Sequence, residues 1–296
     1  MYGLVFAVAA YVIWGSFPLY FSYLNSVSAV EVLSHRILWS LLATLLVGLF
    51  LGRGRKLVKT FADRKLLFWL ALSSLLIAIN WLIFIWAVSQ HRVLEASLGY
   101  FITPVMSLLL ARWLLKEQLH PLQAWAGVLA TVAVLWEWFS LGKLPWVGLS
   151  LALAFALYGL IRKKHPVDGV NGLTIETLWL APLALFWILW QASNSDYNLV
   201  FGDTAQLTLL LIGSGLLTAL PLVLFAMAAT RVDLSVVGFI MYINPSIQFV
   251  IGVYVLKEAY PPERLITFGI IWMALILFVA GMWKKYQQHQ VSAFSQ

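Results

Sequence analysis

From its first residues almost to its last, the chain is a series of runs of roughly twenty apolar residues separated by short polar connections. A helix of that length crosses the hydrocarbon core of a bilayer, so each run reads as a membrane span. Ten such runs occur, at about 3–24, 31–51, 66–89, 94–115, 121–139, 145–162, 171–191, 205–230, 235–256 and 262–283. Soluble domains hold roughly 45–50% apolar and 25% charged residues. This chain has 62% hydrophobic and 10% charged residues, too little polarity to cover a water-exposed surface. The expected fold is all-α and integral to a membrane. No connection is long enough for a soluble domain, and the residues after Trp283 read as a frayed basic tail. The opening MYGLVFAVAAYVIWG lacks a basic leader and a small-residue cleavage site, so it reads as the first span.

Lysine and arginine collect on the cytoplasmic side of membrane proteins. With the N-terminus inside, thirteen of the nineteen basic residues fall on the inner side, among them Arg53, Arg55, Lys56, Lys59, Arg64 and Lys65 and the run Arg162, Lys163, Lys164. Four fall outside, and Arg36 and Arg112 lie within spans. Both termini are therefore expected in the cytoplasm. The stretch RGRKLVK then marks topology, and no nucleic-acid partner is expected.

The chain repeats weakly at an offset of 141 residues. LGYFITPVMSLLLARWLLKEQLHP aligns without a gap on FIMYINPSIQFVIGVYVLKEAYPP, placing Pro104 on Pro245, Lys116-Glu117 on Lys257-Glu258 and Pro121 on Pro262. The expected units are 1–140 and 141–283, each with five spans, followed by a tail at 284–296. An odd number of spans inverts the second copy, and inverted repeats are a signature of secondary transporters. A duplication kept only for stability would leave the same trace.

Pro104 and Pro245 fall near the centres of their spans, where proline deletes a hydrogen bond and costs about 3 kcal/mol. The carbonyls of Tyr100 and Met241 should lose their partners, and in lipid such groups need protein or water. With Thr103, Tyr242 and Asn244 beside them, the two breaks are expected to line a midplane cavity; a packing kink is the alternative. Asn80, in AINWLIF, either joins that cavity or bonds a neighbouring helix. Trp14 and Tyr158, matched in the echo AYVIWG and AFALYG, either wall the cavity or pack the core.

Ionisable residues inside a membrane are expensive and face a partner or water. The second span opens EVLSHRILWS, with Glu31 and His35 on one face and Arg36 next to them. His35 and Arg36 lie a turn or more deep and are expected in the cavity or gate wall, where Arg36 meets an anionic or zwitterionic group of a solute. Glu31, Glu95 and Glu176 begin spans; they are either gate elements or charges favoured by the helix dipole. Glu31 and Glu176 answer each other across the repeat. The repeated Lys-Glu before proline reads as a helix stop and start.

Phosphate-loop, zinc-protease and nucleophile-elbow motifs are absent, and the five histidines are scattered. With no cysteine, thiolate metal sites and disulfides are excluded. No enzyme activity, cofactor or metal is expected.

Several segments, SHRILWS, NWLIFIWAV, LEASLGYFITP, LYGLIRKK, IETLWLAP and AATR, together with the proline and Lys-Glu module, resemble EamA-type permeases of the drug/metabolite transporter superfamily. Within these, the chain is similar to the RarD, or chloramphenicol-sensitivity permease, group. The resemblance implies ten helices in two inverted five-helix repeats and an inner-membrane permease working by alternating access. Its solute would be a metabolite or a drug such as chloramphenicol. A lipid-acting membrane enzyme and a receptor or assembly subunit without flux are the alternatives. The small solute and the bilayer are the expected partners, and a homodimer is left open.

Overall fold

The computed structural model describes residues 2–116, 120–194, 199–229, 231 and 240–294. Among these, all regular structure is helical. The elements are α1 (Tyr2–Gly15), α2 (Phe17–Ser22), α3 (Ala29–Phe50), α4 (Gly54–Ala62), α5 (Arg64–Ser89) and α6 (Val93–Leu115). They continue with α7 (Pro121–Leu141), α8 (Trp146–Lys164), α9 (Gly169–Ser193), α10 (Ala205–Ala229), α11 (Ile243–Val250) with a π-helical turn at Ile251–Val255, and α12 (Glu263–Phe294). Among the described residues, nine stretches are long and apolar enough to cross a bilayer, α1 and α2 together forming one of them. The expected run at 235–256 appears as α11 and its π turn, while residues 232–239 and Glu117 lie outside the described residues.

Three expectations are corrected. The chain turns at Met241 and Tyr242, so Pro245 sits in the first turn of a new helix and not in a helix interior. First-turn N–H groups have no intrahelical partner, so proline removes nothing there. The Met241 carbonyl is not freed either: it accepts from the Asn244 N–H at 3.3 Å. Pro104, by contrast, lies inside the continuous α6. The tail after Trp283 does not fray at once; it prolongs α12 to Phe294.

Short connections make successive spans antiparallel, which defines two ends. One, here the basic end, carries Arg53–Lys65 and Arg162–Lys164. Its basic stretch folds into α4, with Val58 and Phe61 exposed. The other is the opposite end, where α3, α6, α8, α10 and α12 begin.

Helix contacts come in pairs related by the repeat offset. α5 and α6 pack on α8, and correspondingly α10 and α11 pack on α1. The contact of α3 with α10 is answered by that of α9 with α5. α3 packs on its counterpart α9, α6 on α11, and α7 on α12. Two bundles result, α5–α6–α8 and α1–α10–α11, flanked by α3 with α9 and by α7 with α12. Lysine at the repeated Lys-Glu sites takes left-handed φ in both copies, 57° at Lys116 and 50° at Lys257.

Without a hydrophobic force between helices in lipid, close crossings depend on small residues. A Cβ at Gly99 would stand 2.5 Å from the Gly148 carbonyl oxygen, so α6 and α8 cross backbone to backbone. At the matching α1–α11 crossing, a Cβ on Gly15 would lie 2.8 Å from Ile247 Cβ and 3.0 Å from the Asn244 oxygen. Gly99→Val should therefore destabilise the protein by about 1–3 kcal/mol through overpacking. A lower midpoint of thermal unfolding in detergent is the expected result, and an unchanged midpoint would refute the backbone crossing.

Candidate substrate site at Arg36

α3 starts with Ser28 as its cap, the hydroxyl accepting from the Glu31 N–H at 3.2 Å. This start fixes which residues lie two turns further in, and Arg36 points from there to the junction of the two bundles. Its guanidinium lies over the Trp81 ring of α5 at 4.2 Å and near Phe17 and Phe21 of α2, at 5.4 and 5.3 Å. The Nε–H donates to Thr218 Oγ1 of α10 at 2.9 Å. Arg36 is 3% exposed, its Nη1 has no hydrogen-bond partner, and no described carboxylate lies within ion-pair distance.

Trp81 belongs to the α5–α6–α8 bundle and Thr218 to the α1–α10–α11 bundle, so one cation touches both. Cation–π contacts contribute about 0.5–2 kcal/mol each, far less than full compensation for burying a charge. An unmet buried donor costs roughly a further 1–3 kcal/mol. Chemically the arrangement is a buried cation among aromatic rings with one donor nitrogen unmatched.

Asn80 and Tyr100 stand on the same side. The Tyr100 hydroxyl donates to Asn80 Oδ1 at 3.2 Å, and Asn80 Nδ2 donates to the Leu151 carbonyl at 3.1 Å. Asn80 thus braces α5 against α6 and α8, with both ends of its amide engaged. Trp14 packs on Tyr11 and Phe225, with centroids at 5.3 and 5.9 Å, and joins the hydrophobic cluster that holds Trp81 and Tyr100. His35 stacks on Phe201 at 4.5 Å and leaves its Nε2 without a partner.

Other expected residues fall into separate groups. Tyr158 donates to Glu176 at 3.3 Å, and its ring packs on Phe155. Glu176 is wholly buried in the half nearer the basic end; it accepts from Ser73 at 2.6 Å and pairs with Arg162 at 3.5 Å. Gly172 leaves the space that the Arg162 guanidinium fills. Tyr242 and Met241 pack in another cluster with Phe101 and Phe268, and the Tyr242 hydroxyl has no partner. Thr103 bonds back to the Gly99 carbonyl, and Asn244 accepts from Gln248.

At the opposite end, buried carboxylates hold backbone amides. Glu31 accepts from Val200 N–H at 2.9 Å, Phe201 N–H at 3.2 Å and Gln191 at 3.0 Å. Glu95 accepts from Val147 N–H at 3.0 Å and pairs with Arg92. Glu258 accepts from Val93 and Leu94 N–H at 2.6 and 2.9 Å. Burial pushes the Glu258 carboxyl up, while those two amides and the nearby His91 and Arg264 pull the other way. Sequence reasoning missed Thr218, Ser73, Arg162 and Glu258. Only the last two carried a signal, one as a basic residue ending a span and the other in the repeated Lys-Glu.

Residues 1–137 match the EamA-like transporter family. An uncharacterized transporter of Vibrio cholerae is 42% identical over 277 residues, 93% of this chain and 91% of that protein. Protein RarD of Salmonella typhi is 42% identical over 280 residues, 94% of each chain. A crystal structure of another protein superposes with a TM-score of 0.61 at 14% identity, covering 95% of this chain and 96% of that one, a likeness of fold alone. The family and the first of these relatives are transporters by name and not enzymes. The chain belongs to the EamA-like transporter family, in the RarD group.

Proposed function

We propose that the protein is a secondary transporter of the bacterial inner membrane that carries a small organic solute with an anionic or zwitterionic group by alternating access. The observation that carries this reading is Arg36, a buried cation shared by two bundles and without a described carboxylate partner. A solute anion would complete its coordination, and Trp81, Phe17, Phe21 and Tyr100 would wall the organic part. An uncharged drug such as chloramphenicol would use the aromatic walls alone and bind less tightly.

The paired helix contacts support two inverted five-helix units, 1–140 and 141–283, whose bundles rock about the shared site. The charge distribution supports placing the basic end and both termini, with the tail at 284–296, in the cytoplasm. Thr103, Pro104, Met241, Tyr242, Asn244 and Pro245 sit where α6 meets α11 and its flanking turn, and in this reading they become cavity wall as the bundles separate. His35 and Glu31 with Glu95 serve the outer gate, and Glu176 with Tyr158 the inner one.

In proteoliposomes, Arg36→Ala should lower accumulation of an accepted carboxylate by about 10- to 100-fold, the range expected for losing one hydrogen bond to a charged group. Equal uptake by wild type and variant would refute the role of Arg36; no uptake of any solute by wild type would favour a receptor without flux. Glu176→Gln should destabilise the protein by about 3–5 kcal/mol by stranding Arg162. The double variant Glu176→Gln with Arg162→Met should recover most of the thermal midpoint, and failure to recover would mean the pair is not the support of the inner end.

A further inference from the structure

We propose that Glu258 is a positioning residue for transport: its carboxylate latches the two bundles together at the opposite end and must let go before Arg36 is reached from that side. This inference rests on the alternating-access reading above. The carboxylate leaves the end of α11, in the α1–α10–α11 bundle, and takes the first two amides of α6, in the other bundle. The two N–H groups fall on different carboxylate oxygens, so both are engaged at once. Helix N-terminal amides have no intrahelical partner and carry the positive end of the helix dipole, which favours a carboxylate there.

The backbone that delivers Glu258 is itself unusual. α11 ends in a π turn, a feature that concentrates at functional sites. Leu256 N–H closes onto the Ile251 carbonyl at 2.8 Å, and Glu258 N–H onto the Gly252 carbonyl at 2.9 Å. Lys257 between them takes φ 50°, a left-handed conformation disfavoured for a residue with a Cβ. Gly252 then rides against α6: a Cβ there would lie 2.9 Å from Leu94 Cδ2. One turn further in, the Ser97 hydroxyl donates to the Pro245 carbonyl at 2.8 Å, a second bond between α6 and α11. Behind this seam Glu258 is 8% exposed and Ser97 fully buried. A helix stop needs no carboxylate that reaches into another bundle, so the Lys-Glu motif does more than end α11.

The test uses the absence of cysteine from the chain. Ser97→Cys places a single thiol behind the latch, and Ser74→Cys, in a second protein, places one in α5 away from it. Each is combined with Glu258→Gln and with Glu258→Asp, the latter a methylene too short to hold both amides. Alkylation by a charged maleimide is timed in the purified full-length protein. The latch predicts that the thiol at position 97 reacts about tenfold faster or more in the Glu258 variants, the shift expected from losing one charge-assisted bond, while the thiol at position 74 does not. Unchanged rates at position 97 in both variants, or equal acceleration at positions 97 and 74, would overturn it. If Glu258→Gln does not fold, Glu258→Asp decides alone. Uptake by wild-type proteoliposomes separates the two ideas: uptake with unchanged labelling removes only the latch. Faster labelling at position 97 with no uptake of any solute supports the latch and removes the transport reading.

Discussion

In hydrocarbon a peptide group without a partner costs several kcal/mol, and this decides how the chain starts and joins its helices. Where a cap lies next in sequence, it is used: Ser28 for α3, Asp63 for α5, His120 for α7 and Asp168 for α9. α8 has no side-chain cap of its own, and its Val147 amide goes to Glu95 on α6. The first amides of α6 go in turn to Glu258. Because these caps come from elsewhere in the chain, satisfying a helix start also ties helices together, within one bundle for Glu95 and between the two for Glu258. Local backbone chemistry and global assembly are thereby the same bonds at the opposite end of the molecule.

Arg36 is a side chain whose own demand is only partly met from within. Its neighbours are three rings and one hydroxyl, drawn from both bundles, and one of its nitrogens is left over. Arg162 is placed differently. That guanidinium lies in the space left by Gly172 and pairs with Glu176, which Ser73 and Tyr158 also hold. One arginine is built into the scaffold with its counter-ion; the other is held by π faces and a hydroxyl, with no carboxylate among the described residues at ion-pair distance. In the proposed transport cycle, a ligand at the second kind of site would bind both bundles together and shift their equilibrium by its differential affinity for the two arrangements.

The helices are legible in the sequence because span length is set by the bilayer and little else, and the depth of Arg36 follows from its position in its run. The repeat is legible at Pro104 and Pro245, yet the two prolines do different things: Pro104 sits inside a continuous helix, whereas Pro245 begins a new one after the turn at Met241. A proline in a sequence does not disclose which side of it has stopped being helical. Tyr158 pairs with Trp14 by matched position, but its hydroxyl is claimed by Glu176, a partner 18 residues on whose charge looks like a helix-start preference. Thr218 gives no signal at all in its apolar run. Glu258 looks like punctuation because its partners, two backbone amides 164 and 165 residues away, leave no mark in side-chain identity.

In the proposed reading Arg36 receives a solute anion, and not merely an organic surface. The most direct measurement is the thermal midpoint of the purified protein against matched pairs of small metabolites, each carboxylic acid beside its own primary amide at equal concentration. A ligand that binds only the folded state raises stability in proportion to the logarithm of its occupancy. If Arg36 receives the anion, some carboxylates raise the midpoint while their amides do so weakly or not at all. Amides that stabilise as well as their acids, across every pair that binds, would contradict it.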